Sequence, residues 1–310
     1  MTKITKEILE QPSNTQIVKI HKYLESSILD YRGDTLFSRI YPLLGKESII
    51  LLHGGPGFPS DFTEVVEYFK HQFQIIVFHQ RGTKKSPCIS GDYSLEAYLN
   101  DIETVRKFYK IDKFHLWGHS WGGLYAQVYT EKYPDHLLSL FLCNPGSGTN
   151  TQWQQTENEV MQFNKSKVSS WQWTKMGIYS FLGMLGFDKA YQHLFRQVMK
   201  NYHADFISTE NIEQTEDFSL LKAKAINKTR AEIIKYPLLK GLTQADFKIT
   251  ILYGDQDIYT HSKHFVIDRY PTATVFHVVN SGHLPWLHHS QAYKDILSSH
   301  YQYLMETLRD

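Results

Sequence analysis

The chain has 310 residues, enough for one large α/β domain with an insertion or for two modest domains. Its formal net charge of +1 creates no long-range field that would select nucleic acid or an anionic membrane surface, so we expect neither as a partner. The two cysteines, Cys88 and Cys143, lie in no spacing that is typical of metal ligands. These features argue against a disulfide scaffold and a structural zinc, and we expect no cofactor.

The amino terminus begins with basic residues, but no apolar stretch follows Met1–Glu7. No run of the chain approaches the roughly 18 apolar residues of a membrane-spanning helix. Neither a signal peptide nor a membrane anchor is therefore expected, and we predict a cytoplasmic protein.

The first third of the chain carries two kinds of strand pattern. Residues 16–23 and 35–41 alternate polar and apolar side chains, which predicts antiparallel strands at the edge of a sheet. Residues 48–52 and 74–78 are instead continuous runs rich in branched apolar residues, as is typical of strands buried on both faces. Residues 64–69 have helical spacing and separate these two buried strands.

Strands and helices then alternate along the chain. Helical spacing over residues 95–109 follows Ser94, a suitable N-cap residue. A strand at 114–117, a helix over 121–133 and a strand at 137–143 come next. This alternation predicts a parallel sheet with right-handed crossovers.

The sequence pattern changes between residues 147 and 246. Buried strand runs are missing there, and helical segments rich in aromatic residues take their place. Core strands resume at 249–253 and 274–279, before a predicted final helix over 290–308. We interpret residues 147–246 as a helical cap inserted into a core formed by residues 1–146 and 247–310.

The stretch Gly118-His119-Ser120-Trp121-Gly122-Gly123 lies between an apolar run and a helical pattern. A serine with glycines two positions before and after it, at a strand-to-helix junction, is the nucleophile elbow of an α/β-hydrolase. The turn strains the serine backbone, and the glycines avoid collisions that a Cβ would cause. We therefore predict an α/β-hydrolase fold, with a mostly parallel sheet flanked by helices, and Ser120 as nucleophile.

A serine hydroxyl needs a base and a group that orients the base, and in this fold the order along the chain is serine, acid, histidine. The predicted acid is Asp257, directly after a core strand, with Asp255 as its competitor. The predicted base is His283, which follows the next strand. His288 and His289 are expected to be solvated.

The glycine-rich stretch His53-Gly54-Gly55-Pro56-Gly57 follows another core strand. We predict that the N–H groups of Gly55 and Trp121 form an oxyanion hole, and that His53 braces the loop. The same stretch is also consistent with a plain tight turn. The Gly55–Pro56 bond is a candidate for the cis form.

Three motifs in order resemble the proline iminopeptidases and their capped α/β-hydrolase relatives. They are the glycine-rich stretch 53–57, His79-Gln80-Arg81-Gly82 with Ser86, and the serine motif 118–123. The likeness covers the core and fades in the cap. It implies a serine peptidase that removes an amino-terminal residue, often proline, from short peptides.

The cap departs from that family. Its members place a glutamate just after a tryptophan pair, but here Trp171-Gln172-Trp173 is followed by Thr174. A buried substrate amine requires a carboxylate partner. The remaining acidic residues of the cap are each most simply part of a solvated face: Glu157, Glu159, Glu210, Glu213, Glu216 and Asp217. Three aromatic side chains are candidates for an apolar substrate pocket, although the packing of the cap itself would also explain them: Trp153, Trp171 and Trp173.

These residues predict a serine hydrolase that acts through an acyl-enzyme on a small molecule or a short peptide. Aminopeptidase activity of the proline iminopeptidase type is the leading hypothesis. Hydrolysis of small apolar esters or lactones is the alternative, because the amine-binding glutamate is missing. A ligand receptor without catalytic activity on the same fold is a third reading, against which the complete set of serine, histidine and aspartate argues.

Overall fold

The computed structural model describes residues 23–208 and 217–306, with side chains up to residue 301. The amino-terminal segment, on which the absence of a signal peptide was predicted, and residues 16–22 of the predicted first strand lie outside these ranges. So do Glu210, Glu213 and Glu216. Among the described residues, no helix combines the length and apolar character needed to cross a bilayer.

The described strands form one eight-stranded sheet in the order β1-β2-β4-β3-β5-β6-β7-β8. The strands β1 and β2 form an antiparallel hairpin at one edge, β2 pairs antiparallel with β4, and the remaining pairs are parallel. Their bounds are β1 Leu24–Leu29, β2 Thr35–Tyr41, β3 Ser48–Leu52, β4 Gln74–Phe78, β5 Phe114–His119, β6 Leu137–Cys143, β7 Lys248–Gly254 and β8 Thr274–Val278. The mostly parallel sheet that the sequence predicts is confirmed.

Ten α-helices are described around and beyond this sheet. They are α1 Thr63–Phe69, α2 Leu95–Phe108, α3 Trp121–Lys132, α4 Thr151–Ser166, α5 Ser170–Met184, α6 Asp188–His203, α7 Ala223–Lys235, α8 His264–Arg269, α9 Pro285–His288 and α10 Ser290–Glu306. Helix α2 starts as predicted, with the Ser94 side chain accepting the N–H of Ala97. Four of the helices, α4 to α7, lie between β6 and β7 in the chain. The division into core and cap at residues 147 and 246 stays a prediction.

The continuous apolar runs are explained by two apolar clusters, one on each face of the sheet. In β3, Ile50 and Leu52 belong to the cluster that contains residues of α2 and α3, whereas Ile49 and Leu51 belong to the cluster with residues of α1 and α10. Successive side chains of a strand point to opposite faces. A central strand covered on both sides therefore needs an apolar residue at every position.

The edge hairpin differs from the prediction. Its second strand, β2, lies where the alternation placed it, but its partner is Leu24–Leu29. The partner strand was missed because four of its six positions are exposed and only Ile28 is buried, so it carries no alternating pattern.

Candidate active site

Ser120 lies at the sharp turn between β5 and α3. Its backbone has φ 55° and ψ −120°, a conformation that residues with a side chain rarely adopt. A Cβ on Gly118 would lie 2.4 Å from the carbonyl oxygen of Gly122, and a Cβ on Gly122 would lie 2.1 Å from that of Leu52. The glycines are therefore required by close backbone packing, and the serine is held at the carboxyl end of the sheet.

The carboxyl ends of β7 and β8 bring Asp257 and His283 together. The Nδ1 atom of His283 is 2.6 Å from Oδ1 of Asp257, and both residues are buried. The competing residue, Asp255, accepts the backbone N–H of Ser281 instead. Because the carboxylate can only accept, His283 carries its proton on Nδ1, and Nε2 is left as an acceptor. That Nε2 atom is buried and has no hydrogen-bond partner among the described residues.

The hydroxyl of Ser120 meets a residue that the sequence analysis did not identify. Its Oγ lies 3.3 Å from the hydroxyl oxygen of Tyr259, and the structure shows no hydrogen bond between Ser120 and His283. The Tyr259 ring is 5.2 Å from the His283 ring, centroid to centroid, at an interplanar angle of 88°. Tyr259 thus contacts both the serine and the histidine. Its position two residues after Asp257 is the one sequence signal that could have identified it.

The glycine-rich loop packs directly against the serine. A Cβ on Gly54 would lie 3.0 Å from the Cβ of Ser120. The prediction of a cis bond before Pro56 is wrong, since the described chain has only trans peptides. The turn is made instead by glycines with positive φ, 56° at Gly55 and 76° at Gly57. The N–H of Trp121, the first residue of α3, has no acceptor within its own helix.

Two buried side chains fix this loop to the serine motif. The Nε2 atom of His53 accepts the N–H of Gln80, and the Gln80 side chain donates to the His53 carbonyl at 2.8 Å. The same side chain accepts the indole N–H of Trp121 at 2.6 Å. Burial lowers the pKa of His53 to about 3, so His53 is a neutral brace at ordinary pH. The role of Gln80 was not predicted.

The loop after β7 is held by a carboxylate of α4. Glu159 of α4 is 8% exposed and accepts the backbone N–H groups of Thr260, His261 and Ser262 at 3.0, 3.1 and 2.9 Å. The Ser262 hydroxyl donates a fourth bond at 2.7 Å. Four donors satisfy most of what a carboxylate can accept. Glu159 therefore anchors the segment that carries Asp257 and Tyr259.

The other described acidic residues of this region also have protein partners. Glu157 accepts hydrogen bonds from Arg230 and from the indole of Trp153. Asp217 accepts the backbone N–H of Ser219. Of the described acidic candidates, Glu157 and Glu159 are therefore engaged by protein donors through both carboxylate oxygens, whereas Asp217 is exposed.

The structure separates the three candidate pocket tryptophans. The Trp153 ring lies 6.3 Å from that of Trp121 and is 9% exposed, so it reaches the serine motif. Trp171 is 67% exposed, with the Lys175 ammonium over its ring, and does not reach the site. Trp173 is half-buried on the same helix. The packed face of α5 carries Met176 and Gly183, and Trp171 falls off that face.

His288 is not solvated as predicted, whereas His289 is exposed. The Nδ1 atom of His288 accepts the N–H of Gly282, and its Nε2 lies 3.2 Å from Nδ1 of His203 at the end of α6. Burial lowers the pKa of His203 to about 4 and that of His288 to about 3. A neutral imidazole pair therefore joins α6 to the residue that precedes His283.

This pair predicts a pH-dependent stability. In the unfolded chain both histidines take up protons near pH 6.5, whereas in the folded protein they do so only near pH 4 and 3. Between these values the unfolded state binds more protons, so the free energy of unfolding should fall as pH falls. We expect the melting temperature to drop from pH 7 to pH 5, and to drop less in His203→Gln.

Circular dichroism melts of both proteins across that range test the expectation. Comparison with His203→Gln cancels the contributions of the other titrating groups. A variant whose melting temperature falls as steeply as that of the wild type would contradict a neutral His203.

Comparison with known proteins supplies the family context for this geometry. The sequence profile of the alpha/beta hydrolase fold family matches residues 47–289. A proline iminopeptidase of Chitinophaga pinensis is 35% identical over 105 residues, which cover 32% of this chain and 35% of that protein. A proline iminopeptidase of Flavobacterium johnsoniae is 32% identical over a stretch of the same length and coverage. The chain thus matches about a third of the length of these relatives.

Solved structures match over nearly the whole chain. The crystal structure of VinJ superposes with a TM-score of 0.64 over 91% of this chain and 99% of that one. The sequence identity is 14%, so the match shows a shared fold.

Proposed function

The chain belongs to the α/β-hydrolase fold family, and we propose that it is a serine hydrolase that forms an acyl-enzyme on Ser120. In this proposal His283 is the general base and then the general acid, and Asp257 orients it. The observation that carries the proposal is the 2.6 Å contact between buried Asp257 and His283 beside the strained serine turn. A contact of this kind holds the imidazole in the tautomer that accepts a proton from serine.

Each chemical step uses a group in this arrangement. The Ser120 oxygen attacks the substrate carbonyl carbon while its proton passes to Nε2 of His283, and the carbonyl oxygen becomes an anion. We assign the oxyanion to the N–H groups of Gly55 and Trp121, at about 3 kcal/mol for one donor. When the tetrahedral intermediate collapses, the leaving group takes the proton from His283. Water then attacks the acyl-enzyme through the same series of steps, and this regenerates the serine.

For the substrate, we propose the amino-terminal residue of a short peptide, as in a proline iminopeptidase. Two kinds of support favour it. The motifs of the glycine-rich loop, of residues 79–82 and of the serine turn resemble that family. The two curated relatives described above, at 35% and 32% identity, carry that name.

Hydrolysis of small apolar esters is the second candidate, and a specific observation favours it. Both acidic side chains of α4 are engaged by protein donors, Glu157 by Arg230 and Trp153, and Glu159 by the loop after β7. Neither is free to pair with a substrate ammonium. Aromatic rings lie at the site instead: Tyr259 and Tyr202 pack against His283, and Trp153 packs against Trp121.

The two candidates are distinguished by parallel assays of a prolyl arylamide and a short-chain acyl arylester, with Ser120→Ala as the blank. Peptidase function predicts turnover of the arylamide well above that blank. Cleavage of the ester alone, with no arylamide turnover, would reject the peptidase assignment and leave the esterase. No turnover of either substrate would count against both.

A further inference from the structure

Tyr259 lies beside the proposed catalytic serine and histidine. It is 3% exposed, and its hydroxyl makes a 3.3 Å contact with the oxygen proposed as the nucleophile. Its ring stands nearly perpendicular to the imidazole of His283. A buried tyrosine hydroxyl normally finds a hydrogen-bond partner, and the partner found here is Ser120.

The direction of this hydrogen bond follows from the acidity of the two groups. A phenol is the more acidic hydroxyl and so the better donor, and a serine oxygen is the better acceptor. Burial raises the pKa of Tyr259 well above its ordinary value, which keeps the phenol protonated. Tyr259 therefore donates to Oγ of Ser120. The serine proton is then free to turn toward Nε2 of His283, the buried acceptor that lacks a partner among the described residues.

The backbone around Tyr259 is held on both sides. On the amino-terminal side, Oδ1 of Asp257 accepts the N–H of Ile258 at 2.8 Å. On the carboxyl-terminal side, Glu159 accepts the N–H groups of Thr260, His261 and Ser262. The phenol is thus fixed relative to the histidine and aspartate, as the positioning of a reacting oxygen requires.

We propose that Tyr259 is a fourth catalytic residue, whose hydroxyl donates a hydrogen bond to Oγ of Ser120 while that oxygen forms and breaks its bond to the acyl group. The proposal rests on the serine-hydrolase function proposed above. In attack, the serine proton moves to His283 and negative charge develops on Oγ. In deacylation, the C–Oγ bond breaks, its electron pair returns to Oγ, and His283 returns the proton. Tyr259 keeps its own proton throughout.

The hydrogen bond accelerates the reaction because Oγ carries more negative charge in these transition states than in the resting hydroxyl. A donor that binds the transition state more strongly than the ground state lowers the barrier. One such bond to a partly charged oxygen contributes about a factor of ten.

The test is the rate at which a fluorophosphonate labels Ser120 in the full chain, followed by intact-protein mass spectrometry. Tyr259→Phe should label about tenfold more slowly than the wild type, and kcat for the better of the two arylated substrates should fall by a similar factor. The matched control is Tyr301→Phe. Tyr301 is equally buried, its hydroxyl has no hydrogen-bond partner within the described chain, and it packs against Phe69 and Phe73. This control should label at the wild-type rate.

The outcomes separate this inference from the proposed function. Absence of labelling in the wild type would contradict the proposed serine-hydrolase function itself. Normal labelling of the wild type together with an equal or faster rate in Tyr259→Phe would overturn only the role of Tyr259. If Tyr259→Phe melts at a much lower temperature, a monofluorinated tyrosine at position 259 replaces it, because the substitution keeps the ring and strengthens the donor. A faster rate then supports the proposal, and an unchanged rate overturns it.

Discussion

Replacing Ser120 with alanine should lower kcat by about 10⁶-fold, the loss seen when the nucleophile of a serine, histidine and aspartate set is removed. The variant keeps the glycine turn and loses the hydrogen bond between Ser120 and Tyr259. Alanine tolerates the positive φ at this position no worse than serine does, since both carry a Cβ. The fold should therefore survive, and the lost rate should reflect lost chemistry. Initial rates on the preferred arylated substrate measure the effect.

The matched control for this variant is Ser166→Ala, which removes a hydroxyl that donates to the Phe163 carbonyl in its own helix. Its kcat should stay within a factor of about two of the wild type. A surface substitution changes stability by about 0.5 kcal/mol or less, so the fold around the site should be unchanged. A Ser120→Ala protein that retained a tenth or more of the wild-type kcat would show that the nucleophile lies elsewhere.

Asp257→Asn is expected to have the second largest effect, a fall in kcat of about 10⁴-fold. The amide is nearly isosteric, so packing should be preserved. It can present an N–H to Nδ1 of His283, and the imidazole then carries its proton on Nε2, where it cannot accept the serine proton. The control is Asp255→Asn, two residues away in the same loop, whose carboxylate accepts the Ser281 N–H and does not touch the imidazole.

Parallel kinetics of the two asparagine variants decide which carboxylate supports the base. We expect kcat of Asp255→Asn to fall less than about tenfold, since one hydrogen bond to a carboxylate is replaced by a neutral one away from the imidazole. A larger loss in Asp255→Asn than in Asp257→Asn would reverse the assignment.

The parts of the site that the sequence predicted are those fixed by local backbone geometry. A Cβ on Gly118 would lie 2.4 Å from the carbonyl oxygen of Gly122, four residues on, so the spacing of the glycines alone indicated the turn. Asp257 and His283 each follow a core strand directly, and parallel strands end at one edge of a sheet. That edge is where the structure places the two residues together.

The parts that were missed depend on contacts between distant segments. Tyr259 meets Ser120 across 139 positions of the chain, and Glu159 meets Ser262 across 103. Gln80 reaches Trp121 from a different loop. A single sequence carries no periodicity for such pairs, because each depends on how helices and loops pack after the strands are in place. Trp171 shows the converse error, since an aromatic residue in a helix can lie on either face.

The central claim is that His283 activates Ser120, and covalent labelling tests it most directly. Folded wild-type protein treated with a fluorophosphonate should gain one adduct, mapped by peptide mass spectrometry to Ser120, and His283→Ala should label slower by orders of magnitude. A folded wild-type protein that gains no adduct on Ser120, or a His283→Ala protein that gains it at the wild-type rate, would contradict the account.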